Sequence, residues 1–224
     1  MTRPRAIIVD FNGTLSRDEP LLDRLFRSVF AGIGVKMSSA LYYRELAGRS
    51  DPEIVERMLT IAGREVDPVL LDRLLAEKVG RYREAVRLTP TIDADAVAFV
   101  RTAAAQVPLG LVSGAVRAEV SASLEAAGLQ DAFRVVICGD EVQHGKPDPE
   151  GYRMALDAIG AAPALQPGEV VALEDSLPGL AAAAALGLRR VAVAGTVPVT
   201  VLSALAEQVV SRLSPALADQ LLAG

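Results

Sequence analysis

From Leu88 onward the sequence alternates short apolar runs with longer helical segments, and that rhythm leaves few ways to fold. Asp93 to Ala105 predicts a helix, Val107 to Val112 a strand, and Val116 to Ala127 a second helix. Phe133 to Ile137 and Glu169 to Leu173 read as strands on either side of a helix over Glu150 to Ile159. An alanine-rich helix over Pro178 to Leu186 and a strand over Arg190 to Ala194 follow, and Thr200 to Leu222 reads as largely helical. Ala6-Ile7-Ile8-Val9 adds one short buried strand near the N-terminus. Strands joined by helical crossovers of this length make a parallel sheet covered on both faces.

A different rhythm interrupts this one. From Leu21 to about Val86 the apolar residues recur at three and four, as in Leu21, Leu22, Leu25, Phe26, Val29 and Phe30, which is helical spacing. Breaks fall at Gly32 and Gly34, at Gly48-Arg49-Ser50-Asp51-Pro52, and from Gly63 to Pro68. Ser50-Asp51-Pro52-Glu53 is a helix start, with proline in the first turn and acids beside the positive helix end. Tyr42 and Tyr43 are expected to pack among these helices. About four helices without a strand are too many for one crossover and predict an inserted helical bundle. The expected architecture is therefore α/β: a three-layer, Rossmann-like parallel sheet in residues 1–15 and 87–224, with a small α-helical insert in residues 16–86.

Composition narrows the function classes. A net charge of -5 gives no basic footprint for nucleic acid, and no apolar run approaches the length of a membrane span. The lone cysteine, Cys138, excludes an internal disulfide, suits a reducing cytoplasm, and is expected to be a small apolar strand residue. The lone histidine, His144, excludes a histidine-rich metal site.

The chemistry concentrates where strands end. Asp10 follows the first strand and is followed by Phe11-Asn12-Gly13-Thr14, Ser113-Gly114 follows Leu109 to Val112, and Glu174-Asp175-Ser176 follows Leu173. In a parallel sheet all three project from the C-terminal edge, where open α/β sheets bind ligands. His144-Gly145-Lys146-Pro147-Asp148-Pro149 precedes a helix nearby, and Lys146 is one of three lysines against twenty arginines. Aspartate can act as a nucleophile and form an acyl phosphate, so Asp10 needs no cysteine or serine to help it. Asp10 and Asp175 offer hard oxygen ligands that suit magnesium, and Lys146 offers charge against phosphate oxygens while screening Asp10 and keeping it ionised. Ser113 and neighbouring backbone N–H groups, Gly114 among them, can hold another phosphate oxygen.

Together these residues resemble the haloacid dehalogenase superfamily over nearly the whole chain, most closely its phosphatases and phosphomutases with a helical cap. Asp10 to Thr14 is similar to the nucleophile motif, Ser113 to the second motif, Lys146 to the third and Glu174-Asp175 to the acidic fourth, in the right order. The resemblance implies that Asp10 is phosphorylated, that Asp175 binds magnesium directly and Glu174 through water, and that Thr14 supports the loop. It also implies a cap over residues 16–86, in which Arg49 grips a distal anionic group of a small phosphorylated metabolite.

Asn12 departs from the pattern. The family's phosphatases and mutases usually carry an aspartate there that protonates the leaving oxygen and then activates water. The resemblance keeps the main-chain oxygen of Asn12 as a magnesium ligand, but an amide shuttles no proton, and positioned acid–base catalysis is worth roughly 10²–10⁴-fold. A magnesium-dependent phosphatase slowed or specialised by Asn12 is the leading expectation. A non-catalytic phospho-ligand-binding or regulatory protein and a phosphomutase-like transferase remain alternatives.

Overall fold

The computed structural model describes residues 3–47, 49–160, 165–195 and 197–223. Gly48, expected at a break between helices, lies outside the described residues. Six parallel strands form one sheet in the order β3-β2-β1-β4-β5-β6. They are β1 (Ala6–Asp10), β2 (Leu109–Val112), β3 (Val135–Ile137), β4 (Val170–Glu174), β5 (Arg189–Val193) and β6 (Gln208–Val210). The helices are α1 (Glu19–Gly32), α2 (Ser39–Leu41), α3 (Asp51–Ile61), α4 (Pro68–Leu88), α5 (Ala94–Ala104), α6 (Arg117–Ala126), α7 (Glu150–Ile159), α8 (Leu177–Ala185), α9 (Val199–Leu202) and α10 (Pro215–Leu222).

Every residue of β1 and β4 is buried, as continuous apolar runs require when both faces are covered. Alternate residues of β1 serve opposite layers. Ile7 and Val9 pack with residues of α5, α6 and α10, while Ala6 and Ile8 pack with residues of α7 and α8. Cys138 is buried in the first of these layers. No helix among the described residues is long and apolar enough to cross a membrane.

A third apolar cluster draws on α1, α3 and α4, with Phe26, Phe30, Met58 and Tyr82 at its centre and Ala122 of α6 at its edge. Tyr42 is buried in it and Tyr43 lies edge-on against Tyr42, half in solvent. At the start of α3 the Glu53 carboxylate accepts the Ser50 N–H at 2.9 Å and the Ser50 hydroxyl at 2.8 Å, so the expected helix start is present.

The C-terminal expectation needs correcting. Thr200 to Leu222 is not one largely helical stretch: α9 and α10 flank the edge strand β6, whose register pairs Val209 with Ala192. Three residues are too few to display a two-residue period, and Gln-Val-Val becomes a strand only because β5 offers its edge. Arg190 and Glu207 pair beside that junction.

Helix α4 meets α6 through charge as well as apolar contact. Lys78 is 1% exposed and donates to Asp51 of α3 at 2.7 Å and to Glu119 of α6 at 2.6 Å. Burial, reinforced by Asp51 and opposed by Lys78, pushes the Glu119 carboxyl up to about 7. A raised carboxyl pKa means the folded state binds that proton more tightly than the unfolded chain. The Glu119 contribution is therefore largest below its ordinary pKa and is lost as pH rises toward 7. Urea denaturation between pH 5 and pH 8 is expected to show a decline on the order of 2–3 kcal/mol. In Glu119→Gln that decline is expected to flatten.

Candidate active site

Three adjacent strands end together. Asp10 closes β1 opposite Val112, the last residue of β2, and Val9 pairs with Leu173, which precedes Glu174 at the end of β4. Residues remote in sequence, Asp10, Ser113 and Glu174-Asp175, thus share one edge of the sheet. All are buried: Asp10 is 6% exposed, Ser113 5%, Asp175 3% and Glu174 0%.

The turn after β1 is tight. Gly13 adopts a φ of 79°, and a Cβ there would lie 2.0 Å from Oδ2 of Asp175. Only glycine allows both that backbone conformation and that approach. Thr14 donates from Oγ1 to Oδ1 of Asp175 at 3.4 Å, tying the turn to the end of β4.

Lys146 reaches this edge from the loop between β3 and α7. Its Nζ donates to Oδ1 of Asp10 and to Oε1 of Glu174, both at 2.5 Å, and to the carbonyl of Val112 at 3.1 Å. Asp10 and Glu174 push the Lys146 pKa well up, against burial, so it is an ammonium and not a base at neutral pH. Asp10 itself is pushed up, chiefly by burial and further by Glu174 and Asp175, while Lys146 pulls it down. The expectation that Lys146 screens Asp10 and keeps it ionised thus needs correcting: its effect has the anticipated sign but is outweighed by burial.

This charge imbalance suits a cation. Ligand oxygens of Asp10, Glu174 and Asp175 all lie within 4.8 Å of one another. Three carboxylates against one ammonium leave an excess of negative charge, and the donors are all hard oxygen, so the cluster fits a hard divalent metal. Glu174 is the least free of the three. Its Oε2 accepts the N–H groups of Asp175 and Ser176 and the Ser176 hydroxyl, and its Oε1 accepts Lys146 and the Tyr152 hydroxyl.

Ser113 accepts the Ala115 N–H at 2.9 Å, which leaves its own hydroxyl proton to donate elsewhere. A cavity of ≈ 460 Å³ opens onto these groups. Asp10, Asn12, Ser113, Gly114, Lys146 and Asp175 line it, and Arg49 enters from the helical side. Thr14 and Glu174 are not among its lining residues. Arg49 donates from Nε to the Glu45 carbonyl at 2.8 Å. His144 also lines the cavity, with its Nδ1 3.2 Å from Glu150.

Sequence reasoning missed several residues around this centre. Tyr152 lies beneath Lys146, with the ammonium 5.4 Å from its ring centroid. Gly179 faces Glu174, and a Cβ there would lie 1.7 Å from Oε1. Local sequence carries no sign of this need, because the Glu174 side chain reaches Gly179 only once β4 and α8 are folded together. Gly179→Ala is expected to displace the Glu174 carboxylate and cost about 1–3 kcal/mol of stability, measured by urea denaturation. Lys78 also lines the cavity, and lysine scarcity, which singled out Lys146, applied to it equally.

The chain is similar to known proteins over most of its length. A family model described as haloacid dehalogenase-like hydrolase matches residues 4–187. A phosphorylated carbohydrates phosphatase of Thermotoga maritima is 27% identical over 199 residues, covering 83% of each chain. Protein CbbY of Rhodobacter capsulatus is 31% identical over 195 residues, again covering 83% of each. The crystal structure of a Rhodobacter sphaeroides CbbY mutant in complex with xylulose-(1,5)bisphosphate superposes with a TM-score of 0.81 at 28% identity, covering 94% of this chain and 95% of that one. With that family model matched over residues 4–187, most of its length, the chain belongs to the haloacid dehalogenase-like hydrolases.

Proposed function

We propose that this hydrolase is a magnesium-dependent phosphatase of small phosphorylated metabolites that works through an aspartyl phosphate on Asp10. The observation that carries the reading is the Asp10 carboxylate at a strand end, 2.5 Å from the Lys146 ammonium, on the wall of a cavity large enough for a sugar phosphate. Family membership and the phosphatases among the relatives support it.

In this reading an Asp10 carboxylate oxygen attacks phosphorus, the bond from phosphorus to the ester oxygen breaks, and that oxygen takes a proton from solvent and leaves as the alcohol. Lys146 stays protonated and neutralises charge on the non-bridging oxygens, while the Ser113 hydroxyl and the N–H groups around Gly114 hold another of them. Asp10, Asp175 and the main-chain oxygen of Asn12 would hold magnesium, with Glu174 acting through water. Magnesium, when bound, supplies positive charge against the phosphate oxygens. Glu174 also fixes Lys146 and the backbone after β4. Water then releases phosphate from Asp10. Residues 1–15 and 87–224 form the catalytic core, and residues 16–86 form a cap that excludes solvent and sets specificity. Thr14 supports the loop under Asp175, and Arg49 grips a distal anion of the substrate.

The acidic balance argues for no nucleic-acid partner, and single-cysteine usage suits the cytoplasm. Asn12 favours a second reading, a protein that binds phosphorylated ligands without turnover, because its amide cannot carry a proton. A phosphate-release screen over sugar phosphates and acetyl phosphate separates the two. The expected result is release that stops with EDTA and returns with magnesium. Affinity for phosphorylated ligands with no release, even from acetyl phosphate, would support the second reading instead.

A further inference from the structure

Asn12 does not stand alone. Its Nδ2 donates to Oδ2 of Asp18 at 2.9 Å, and the Tyr82 hydroxyl donates to the same oxygen at 2.6 Å. Tyr82 in turn lies 3.1 Å from the Ser123 hydroxyl. Because the Tyr82 proton is committed to Asp18, Ser123 is the donor in that last contact. The chain of donors therefore runs Ser123 to Tyr82 to Asp18, and Asn12 meets the same acceptor from the cavity side.

The ordinary role for an aspartate at this place is absent. Asp18 immediately precedes α1, but its side chain makes no hydrogen bond to the helix N-terminus. Asp18 is 0% exposed, Tyr82 0% and Ser123 2%. The side chain is held toward Asn12 in an environment that water does not share.

An amide has one donor side and one acceptor side. With its NH₂ held by a carboxylate, Asn12 has Oδ1 left to offer the cavity that it lines. We propose that Asp18 is a positioning residue that locks the Asn12 amide so that Oδ1 accepts a hydrogen bond from the water attacking the aspartyl phosphate. The inference rests on the phosphatase reading and adds what residue 12 does in a chain where it cannot transfer a proton. An amide that orients an attacking water is established chemistry in phosphoryl transfer.

The step balances without a base at position 12. The water oxygen forms a bond to phosphorus, and the bond from phosphorus to the Asp10 oxygen breaks. Its electron pair returns to the Asp10 carboxylate, and both of the water's protons leave on the phosphate product, which then equilibrates with solvent. Asn12 contributes direction only. Restoring an acid at position 12 is then not a simple gain, because Asn12→Asp sets two carboxyl groups where a donor and an acceptor now meet. The arrangement is recovered only by exchanging both residues.

The test compares the native chain with Asp18→Leu, Asn12→Asp and the double exchange Asn12→Asp/Asp18→Asn, with acetyl phosphate and an alkyl phosphate as substrates. Leucine keeps the branched shape and removes the oxygen that accepts Asn12 and Tyr82. Asp18→Leu is expected to lower kcat for acetyl phosphate about 10–100-fold, the scale of a misplaced reacting group, with KM changed less than about twofold. Acid-quenched Asp18→Leu should hold more phosphoenzyme than the native chain, because formation survives while breakdown slows. The double exchange should raise alkyl phosphate turnover at least about tenfold over the native chain, and Asn12→Asp alone should not.

A second readout does not depend on turnover. The Asn12 side-chain NH₂ resonances, assigned by their loss in Asn12→Asp, should exchange slowly with water in the native chain and fast in Asp18→Leu. Unchanged kcat and unchanged exchange in a folded Asp18→Leu would overturn the inference and leave the phosphatase reading standing. An Asn12→Asp gain equal to that of the double exchange would do the same. No phosphate release from the native chain with any substrate would sink the phosphatase reading, and the water-orienting role with it.

Discussion

Asp10→Asn is expected to reduce phosphate release by at least about 10⁴-fold, the scale on which loss of a nucleophile is felt. The substitution is nearly isosteric, and an amide oxygen can still accept the Lys146 hydrogen bond that Oδ1 of Asp10 accepts now at 2.5 Å. The fold should not suffer. Burial, Glu174 and Asp175 all push the Asp10 carboxyl up, so ionising it costs stability in the folded state. The folded chain binds that proton more tightly than the unfolded one, and the native protein therefore loses stability as pH rises from the ordinary carboxylate range through the raised pKa. The Asn variant escapes that loss. In metal-free buffer at pH 8 its urea midpoint should equal or exceed the native one while its activity is abolished. Activity within tenfold of native would show that another group attacks phosphorus.

Lys146→Met is expected to damage both stability and activity. Removing the ammonium leaves Asp10 and Glu174 buried without the cation that they share now. Breaking a buried ion pair from one side costs about 3–5 kcal/mol, because the abandoned charge stays buried. The sign with pH is the same as for Asp10, but the window lies higher. The raised Lys146 pKa gives stability that is fully present below the ordinary lysine value and is lost as pH climbs through the raised one. At neutral pH the native chain holds all of that stability and Lys146→Met none of it. Activity should fall about 10²–10³-fold, as when one donor is removed from a developing anion. Lys146→Arg should rescue little, since a planar fork cannot replace a point charge that meets two carboxylates and a carbonyl at once. A Lys146→Met protein with native kcat and native urea midpoint would refute both roles.

The two substitutions differ because Asp10 and Lys146 carry opposite burdens. Asp10 adds to an excess of negative charge, and Lys146 relieves it. A site that strains its nucleophile upward is adapted to receive cationic charge, from the lysine and from a divalent ion among the same oxygens.

Much of this was legible in the sequence for a physical reason. A strand buried on both faces must be apolar throughout, so Ala6 to Asp10 announces both the strand and the place where polarity returns. A parallel sheet brings every such return to one edge, so Asp10, Ser113 and Glu174 could be gathered before any coordinates. Helix α7 carries a strong amphipathic pattern, and its bounds, Glu150–Ile159, match the periodicity. Strand β6 escaped because three residues carry no period, and its pairing depends on an edge that β5 supplies.

The sequence by itself determined five of the sheet's six strands, the inserted helices, the order of the motifs and the chemistry that each strand end could offer. All of these follow from local periodicity and from residue type. Only the tertiary structure decided which groups share a hydrogen bond: Asn12 with Asp18, Asp18 with Tyr82, Lys78 with Glu119, and Lys146 with both Asp10 and Glu174. It also decided why Gly13 and Gly179 must lack side chains, since the carboxylates that would collide with them come from elsewhere in the fold or from the next turn of chain. Partners separated by 64 or 136 residues leave no trace in local spacing, because their meeting is fixed by packing and not by the chain between them. Asn12 shows the division most plainly. Its sequence position said what it could not do, and its contact with a buried carboxylate says which way its amide faces.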